Sequence, residues 1–169
     1  MTTRSYSTQG SQLFFPDTSV SPAIIAPVAQ MTGFTGLGGK KTKIDKTTYD
    51  SVNFKEYAGG LIDAGELSFD LIWDFTNTNH ALIQQLAEAA NADRSFYFGA
   101  SDGTGTPTYA SGLLVPPIAS GLVTRSGFVF FGYFSMFQID APIDNIIKVK
   151  CGVQQSGNIR TAVKGLAYT

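Results

Sequence analysis

Cysteine, histidine and charge are all scarce in this chain. A single cysteine, Cys151, excludes an intrachain disulfide and a cysteine metal cluster. A single histidine, His80, leaves a zinc site short of convergent ligands. No apolar run approaches the roughly 18 residues of a spanning helix, so no membrane span is expected. The opening MTTRSYSTQGSQ lacks the apolar core of a secretory signal, which points to a chain made and folded in a cytosol. Charged residues make up 15% of the sequence, against roughly 25% in ordinary soluble domains. With a net charge of −1 and a pI near 5.7, no global field attracts nucleic acid or acidic lipid. Burial between subunits is one way to manage so little charged surface.

Aromatic residues are abundant, at 12%, including 13 phenylalanines. The length of 169 residues fits one domain over 13–169, after a polar, Ser/Thr-rich and flexible arm at 1–12. Leu13–Gln30 is apolar but broken by Pro16, Pro22 and Pro27, which suits short or edge strands and argues against a central one. Gly33, Gly36, Gly38 and Gly39 open a polar stretch that reads as a long loop to about Gly60. From Glu66 the pattern alternates: Leu67, Phe69, Leu71 and Trp73 form one strand face, with Glu66, Ser68, Asp70, Ile72 and Asp74 on the other, largely polar one. Helical spacing of Leu82, Ile83, Leu86, Ala89 and Ala90 predicts a helix over about 79–91, capped by Thr78 or Asn79 and ended by Asn91.

Ser95–Phe98 reads as a short strand, Ser101–Thr108 as a turn-rich loop and Gly112–Ile118 as a further strand. Gly127–Asp140 is apolar on both faces through Phe134, as expected of a strand covered on both sides. Ala141-Pro142-Ile143-Asp144 makes a turn. Asn145–Gln155 then alternates, with Ile147, Val149, Cys151 and Val153 inward and Lys148, Lys150 and Gln154 outward. The tail could supply a last edge strand. Together these elements predict a mainly β antiparallel sandwich or partly open barrel with one flanking helix.

Tests for chemistry fail one by one. Gly33 and Gly38 miss the Walker spacing because Gly39 stands where the lysine belongs, and Gly36 and Gly38 miss the dinucleotide pattern at Lys41. Glu66, Asp70 and Asp74 could pair as glycosidase carboxylates, but a solvated strand face accounts for them and nothing marks a raised pKa. No serine sits in a nucleophile elbow. Cys151 shares the register of buried neighbours and reads as a small hydrophobe. Lys40, Lys41, Lys43 and Lys46 could touch nucleic acid, but Asp45, Asp50, Glu56 and Asp63 offset them. The Phe-rich strand could stack bases, yet no cations interleave it, so Phe128, Phe130, Phe131 and Phe134 read as core or subunit seam. No enzyme activity, metal or cofactor is expected.

One order of motifs does stand out. It runs Ile44, Asp45, Thr47, Thr48, Ser51, Glu56, then Gly60-Leu61, Asp63, Gly65-Glu66 and the alternating Phe69-Asp70. A helix, a hydrophobic strand containing Gly132, the Ala141-Pro142-x-Asp144 turn and a final alternating strand follow. Over residues 33–157 this resembles the major tail tube proteins of long-tailed (siphovirus-type) bacteriophages. The resemblance implies a structural virion protein that forms hexameric rings stacked into a hollow tube, a conduit for genome delivery. Its partners would be copies of itself, a tape measure protein, a tail terminator and a distal initiator complex. Double-stranded DNA would pass through without specific binding. Under that reading Ile44, Asp45, Thr47, Thr48, Asp50, Ser51, Phe54 and Glu56 are expected to contact an adjacent ring. Glu66, Ser68, Asp70, Lys148 and Lys150 are candidates to line the lumen. A terminator or distal adaptor forming a single ring is the first alternative; a carbohydrate-binding β-sandwich using Tyr97 and Tyr109 is the second.

Overall fold

The computed structural model describes residues 8–48, 54–89, 93–143 and 145–168. In chain order the elements are β1 (Gln12–Asp17), β2 (Ile24–Pro27), β3 (Met31–Thr35), β4 (Lys40–Asp45), β5 (Tyr57–Asp63), β6 (Glu66–Ile72) and α1 (Thr78–Glu88). Then come β7 (Arg94–Gly99), β8 (Thr108–Ala110), β9 (Leu113–Val115), β10 (Ile118–Ala119), β11 (Leu122–Val123), β12 (Gly127–Asp140) and β13 (Lys148–Ala162). The fold is mainly β, as expected. Its body is a seven-stranded sheet in the order β2-β1-β7-β12-β13-β6-β3. Every neighbouring pair in it is antiparallel.

The sheet curls into a half-barrel around its apolar face. Phe34 on the edge strand β3 stacks on Phe98 of β7 with ring centroids 4.3 Å apart, although three strands separate them in the sheet. Between them lie Leu67, Phe69 and Leu71 of β6, Val149, Cys151 and Val153 of β13, and Phe96, Phe130 and Phe134. The period-two pattern predicted for β6 and β13 is therefore the core face of both. Each fully buried Leu, Val or Phe here contributes about 1.5–3 kcal/mol. Burial also pushes the Cys151 thiol up to about 12, so it stays protonated and inert.

Helix α1 closes the core against β12, with Ile83 fully buried and Leu82 and Leu86 packed beside it. Its N-cap is Asn77, not Thr78 or Asn79: the Asn77 Oδ1 accepts the Asn79 N–H at 2.9 Å. Ala89 closes it, and Asn91 lies outside the described residues. His80 is wholly buried and acts as a clasp. Its Nδ1 accepts the Asp74 N–H at 3.1 Å, which leaves Nε2 to donate to the Ala29 carbonyl at 3.1 Å.

Other expectations need correction. The stretch from Gly33 to Gly60 is not one long loop. It completes β3 and then forms a two-stranded β4–β5 ribbon. β1 is interior to the sheet despite Pro16, because its pairing with β7 stops at Phe14 and the proline has a strand on one side only. Among the described residues the tail adds no edge strand. Instead β13 runs on to Ala162, pairing with the first half of β12 as far as Gly127. Gly112–Ile118 is split between β9 and β10 at Pro116-Pro117.

Candidate assembly surfaces

The reverse face of the sheet has two halves. Behind β1, β7 and β12, a second cluster of Phe14, Tyr97, Leu114 and Val129 is roofed by the β8–β9 hairpin. Tyr97 is fully buried, and its hydroxyl donates to the Arg125 carbonyl at 2.8 Å. Burial raises its pKa well above the ordinary phenol value. A carbohydrate-stacking role for Tyr97 is thereby excluded, and Tyr109 is half-buried against the same cluster.

Behind the second half of β12 and all of β13, β6 and β3, the reverse face is open and polar. Pairing sets its residues in rows. Thr35, Ser68, Gly152 and Met136 form one row, and Gly33, Asp70, Lys150 and Gln138 the next. Glu66, Asp70, Lys148 and Lys150 are exposed on it, and Ser68 is half-buried in a 3.1 Å hydrogen bond with Thr35. All five residues expected to line a lumen thus share one surface. Gly152 lets the Glu66 carboxylate cross β13 to accept the Ser135 hydroxyl, because a Cβ there would lie 2.5 Å from Glu66 Oε1. Asp74 has left this face. It caps the turn after β6, where the Thr76 hydroxyl and N–H hold its pKa below the usual value.

The β4–β5 ribbon carries the residues expected at an inter-ring joint, except Asp50 and Ser51, which lie outside the described residues. Its polar groups mostly serve the ribbon itself. The Thr47 N–H donates to Asp45 Oδ1 at 2.9 Å and the Glu56 N–H to Thr47 Oγ1 at 3.0 Å. The Thr47 hydroxyl, with its N–H, lowers the Asp45 pKa. Lys46 pairs with Glu56 at 3.8 Å, and Lys43 sits 3.3 Å over the Tyr57 ring. Thr48 also has an interaction partner. Among its exposed residues, beside Lys40 and Lys41, stand four large apolar side chains, Ile44, Phe54, Leu61 and Ile62, exposed by 53%, 85%, 87% and 59%. Leu61 and Ile62 are consecutive in a strand, so they project from opposite faces of the ribbon.

The Phe-rich strand is divided differently from expectation. Phe130 and Phe134 are buried in the subunit's own core and are not free to form a seam. Phe131 is half-buried and Phe128 is exposed, lining a shallow apolar groove with Phe34, Leu37, Phe98 and Ile159.

Sequence reasoning missed Arg125, whose side chain is 1% exposed. Its Nε donates to the Ala100 carbonyl at 2.7 Å, one terminal nitrogen to Gln12 Oε1 at 3.0 Å, and the other to the carbonyls of Gly10 at 2.9 Å and Gly99 at 3.2 Å. It ties the end of the N-terminal arm, the exit of β7 and the following loop together. Burial draws its pKa below the ordinary guanidinium value.

A half-barrel that leaves open a polar sheet face, strand edges and a ribbon bearing exposed apolar side chains has the form of an assembly subunit. The chain belongs to the lambda-like phage tail tube (TTP) family, whose model matches residues 4–165. Structural protein 3 of Pseudomonas phage PAJU2 is 30% identical over 155 residues, covering 88% of each chain. The SPP1 tail tube, solved by solid-state NMR and cryo-EM, matches 95% of this chain and 80% of its own, with a TM-score of 0.64 at 8% identity. The baseplate of the anti-feeding prophage, in a sixfold-symmetrised cryo-EM structure, matches 98% of this chain and 100% of its own, also with a TM-score of 0.64 at 8% identity. At that identity the two structures speak for the fold. The family and the PAJU2 relative are structural phage proteins, so the chain is a tail tube component of a phage particle and not an enzyme.

Proposed function

We propose that copies of this chain close into hexameric rings and stack into the tail tube, with the open polar face turned toward the lumen through which the genome passes. The observation that carries this reading is the composition of that face. Glu66, Asp70 and Asp140 offset Lys148 and Lys150 on a surface whose other residues include Thr35, Ser68, Gln138 and Gln154 together with Ile72, Tyr133 and Met136. Affinity for duplex DNA grows with the number of uncompensated cations, so a balanced wall lets DNA slide past without holding it. The sixfold symmetry of the anti-feeding prophage structure supports a six-membered ring. The tape measure protein, the terminator and the initiator complex are the partners that this role requires, and assembly takes place in the host cytoplasm.

Electron microscopy of the purified protein, alone and with the distal initiator complex, tests the reading. Long tubes are expected in at least one condition. Single rings that never elongate would move the chain to a terminator or adaptor role, and monomers under both conditions would contradict assembly altogether.

A further inference from the structure

The β4–β5 ribbon is the distal half of one longer hairpin. Phe34 pairs with Phe69 and Thr35 with Ser68, and the same register resumes at Lys40 with Asp63 and Lys41 with Ile62. The proximal half belongs to the sheet, where β6 pairs with β13 as far as Glu66 and Gln154. The distal half turns away at Gly65, whose φ is +71°. Past that turn, residues 156–162 of β13 have β12 on one side and, among the described residues, no strand on the other. We propose that the ribbon has a second, stored position in free subunits: β5 continues β6 straight along this bare edge of β13, and Leu61 fills the groove lined by Phe34, Leu37, Phe98, Phe128 and Ile159. The observed position is then the one that presents Leu61 to a neighbour. The inference rests on the tube reading above, with the ribbon as the joint between rings, and adds what keeps a free subunit from joining too early.

Register favours the stored position. Extending the β6–β13 pairing past Glu66 and Gln154 sets Leu61 level with Ile159 and Gly59 level with Thr161. Leu61 stands an even number of residues from Leu67, so in a continuous strand the two project from the same face, here the core face. Ile159 already packs against that core and lines the groove, whose volume of about 410 Å³ is ample for one leucine side chain. Gly59 and Gly60 add no bulk where the strand would pass the exposed Phe128 ring. The path is short as well. A gap of about 190 Å³ lies between Ile62 and Ala64 on the ribbon side and Gln155, Asn158 and Ile159 on β13.

Opposing preferences make the two positions a switch. The stored one buries Leu61 and covers a bare strand edge, which removes an aggregation hazard. The bent one is held at its root: the Gln155 N–H donates to the Gly65 carbonyl at 3.2 Å, Gln154 Nε2 to the same carbonyl at 2.9 Å, and the Gly38 N–H to Gln155 Oε1 at 3.4 Å. Gly65 reaches its positive φ without steric cost, which any other side chain would incur. Docking on an adjacent ring engages Leu61 in the bent position alone, so the neighbour shifts the population by that difference in affinity.

A disulfide across the stored contact tests the switch, because Cys151 is buried and its thiol is raised to about 12, keeping it silent. Gly59→Cys is combined with Thr161→Cys and oxidised in the free protein. A Cβ at Gly59 meets only the Lys41 side chain at 3.7 Å, and Thr161 is exposed, so both changes fit the fold. The expected product is an intramolecular disulfide, seen as a fast-migrating monomer on a denaturing, non-reducing gel. With the initiator complex it grows no tubes until it is reduced. Disulfide-bonded protein that grows tubes like the wild type would overturn the proposal. Gly65→Val is the second arm, since a β-branched residue disfavours the bend. Tube growth is expected to slow about tenfold with no fall in melting temperature, and the disulfide yield to rise when all three changes are combined. Growth of Gly65→Val at the wild-type rate, or no disulfide in the triple variant, would refute the stored position. Wild-type tubes in the same preparation keep the tube reading standing in either case.

Discussion

Replacing Ile44 and Leu61 together by serine is expected to abolish tube growth while leaving the subunit folded. The β4–β5 ribbon contacts chiefly itself, and a lone two-stranded ribbon is marginal in water. Its apolar side chains contribute nothing to the subunit's own core. Changes at such exposed positions move folding stability by no more than about 0.5 kcal/mol. Buried against a neighbouring ring, each residue would contribute about 1.5–3 kcal/mol, so losing both weakens each joint by roughly 10²- to 10⁴-fold. Melting curves should therefore overlay those of the wild type while electron micrographs show no tubes. Deleting Asp45–Glu56 is expected to act the same way. Tubes of normal length from either variant would show that the ribbon does not join rings.

Arg125→Met is expected to have the opposite signature, a loss of folding stability of about 3–5 kcal/mol. Methionine keeps much of the volume but none of the donors, so the carbonyls of Gly10, Gly99 and Ala100 lose their partner inside the protein. Each buried acceptor left unpaired costs about 1–3 kcal/mol, and partial relaxation holds the total below their sum. Arg125→Lys should recover only a small part, because an ammonium on a flexible stem cannot reproduce the planar fork that reaches four separate backbone and side-chain acceptors. Urea unfolding of the three proteins measures this. A loss below about 1 kcal/mol for Arg125→Met would mean that water replaces the guanidinium at no great cost.

Sequence reasoning succeeds at some of the chain's elements and stops at others. Alternation at Leu67–Leu71 and Val149–Val153 exposes the core faces of β6 and β13 directly, because a half-buried strand must repeat with period two. The helix is legible for the same reason, at its own period. Pairing is another matter. Nothing in Gly127–Asp140 says that β12 loses its β7 partner after Gly132, or that one half is covered on both faces while the other leaves its reverse side open. That depends on the β8–β9 hairpin, whose three-residue strands give almost no periodic signal. Phe130 and Phe134 therefore passed for seam residues when they are core. The ribbon was mistaken for a loop because its strands lie outside any core, so their alternation is erased by polar residues on both faces. Arg125 was invisible, since its acceptors are mostly backbone carbonyls that leave no mark on sequence.

That the five residues proposed to face the lumen share one surface was legible for a physical reason: neighbouring antiparallel strands in register must place Ser68 beside Gly152 and Asp70 beside Lys150 on one face. Sequence could not say whether that face would be roofed, as the adjoining half is, or left open. Of the residues expected at an inter-ring joint, Asp45 and Thr47 bond within the ribbon, whereas Ile44 and Phe54 are exposed, as are the neighbouring Leu61 and Ile62.

A cryo-EM reconstruction of the assembled polymer, at a resolution that orients individual strands, would decide which face lines the channel. Glu66, Ser68, Asp70, Lys148 and Lys150 are expected to face the axial channel, with α1 on the outer side of the wall. A map with that polar face on the outer surface and α1 toward the channel would contradict this expectation.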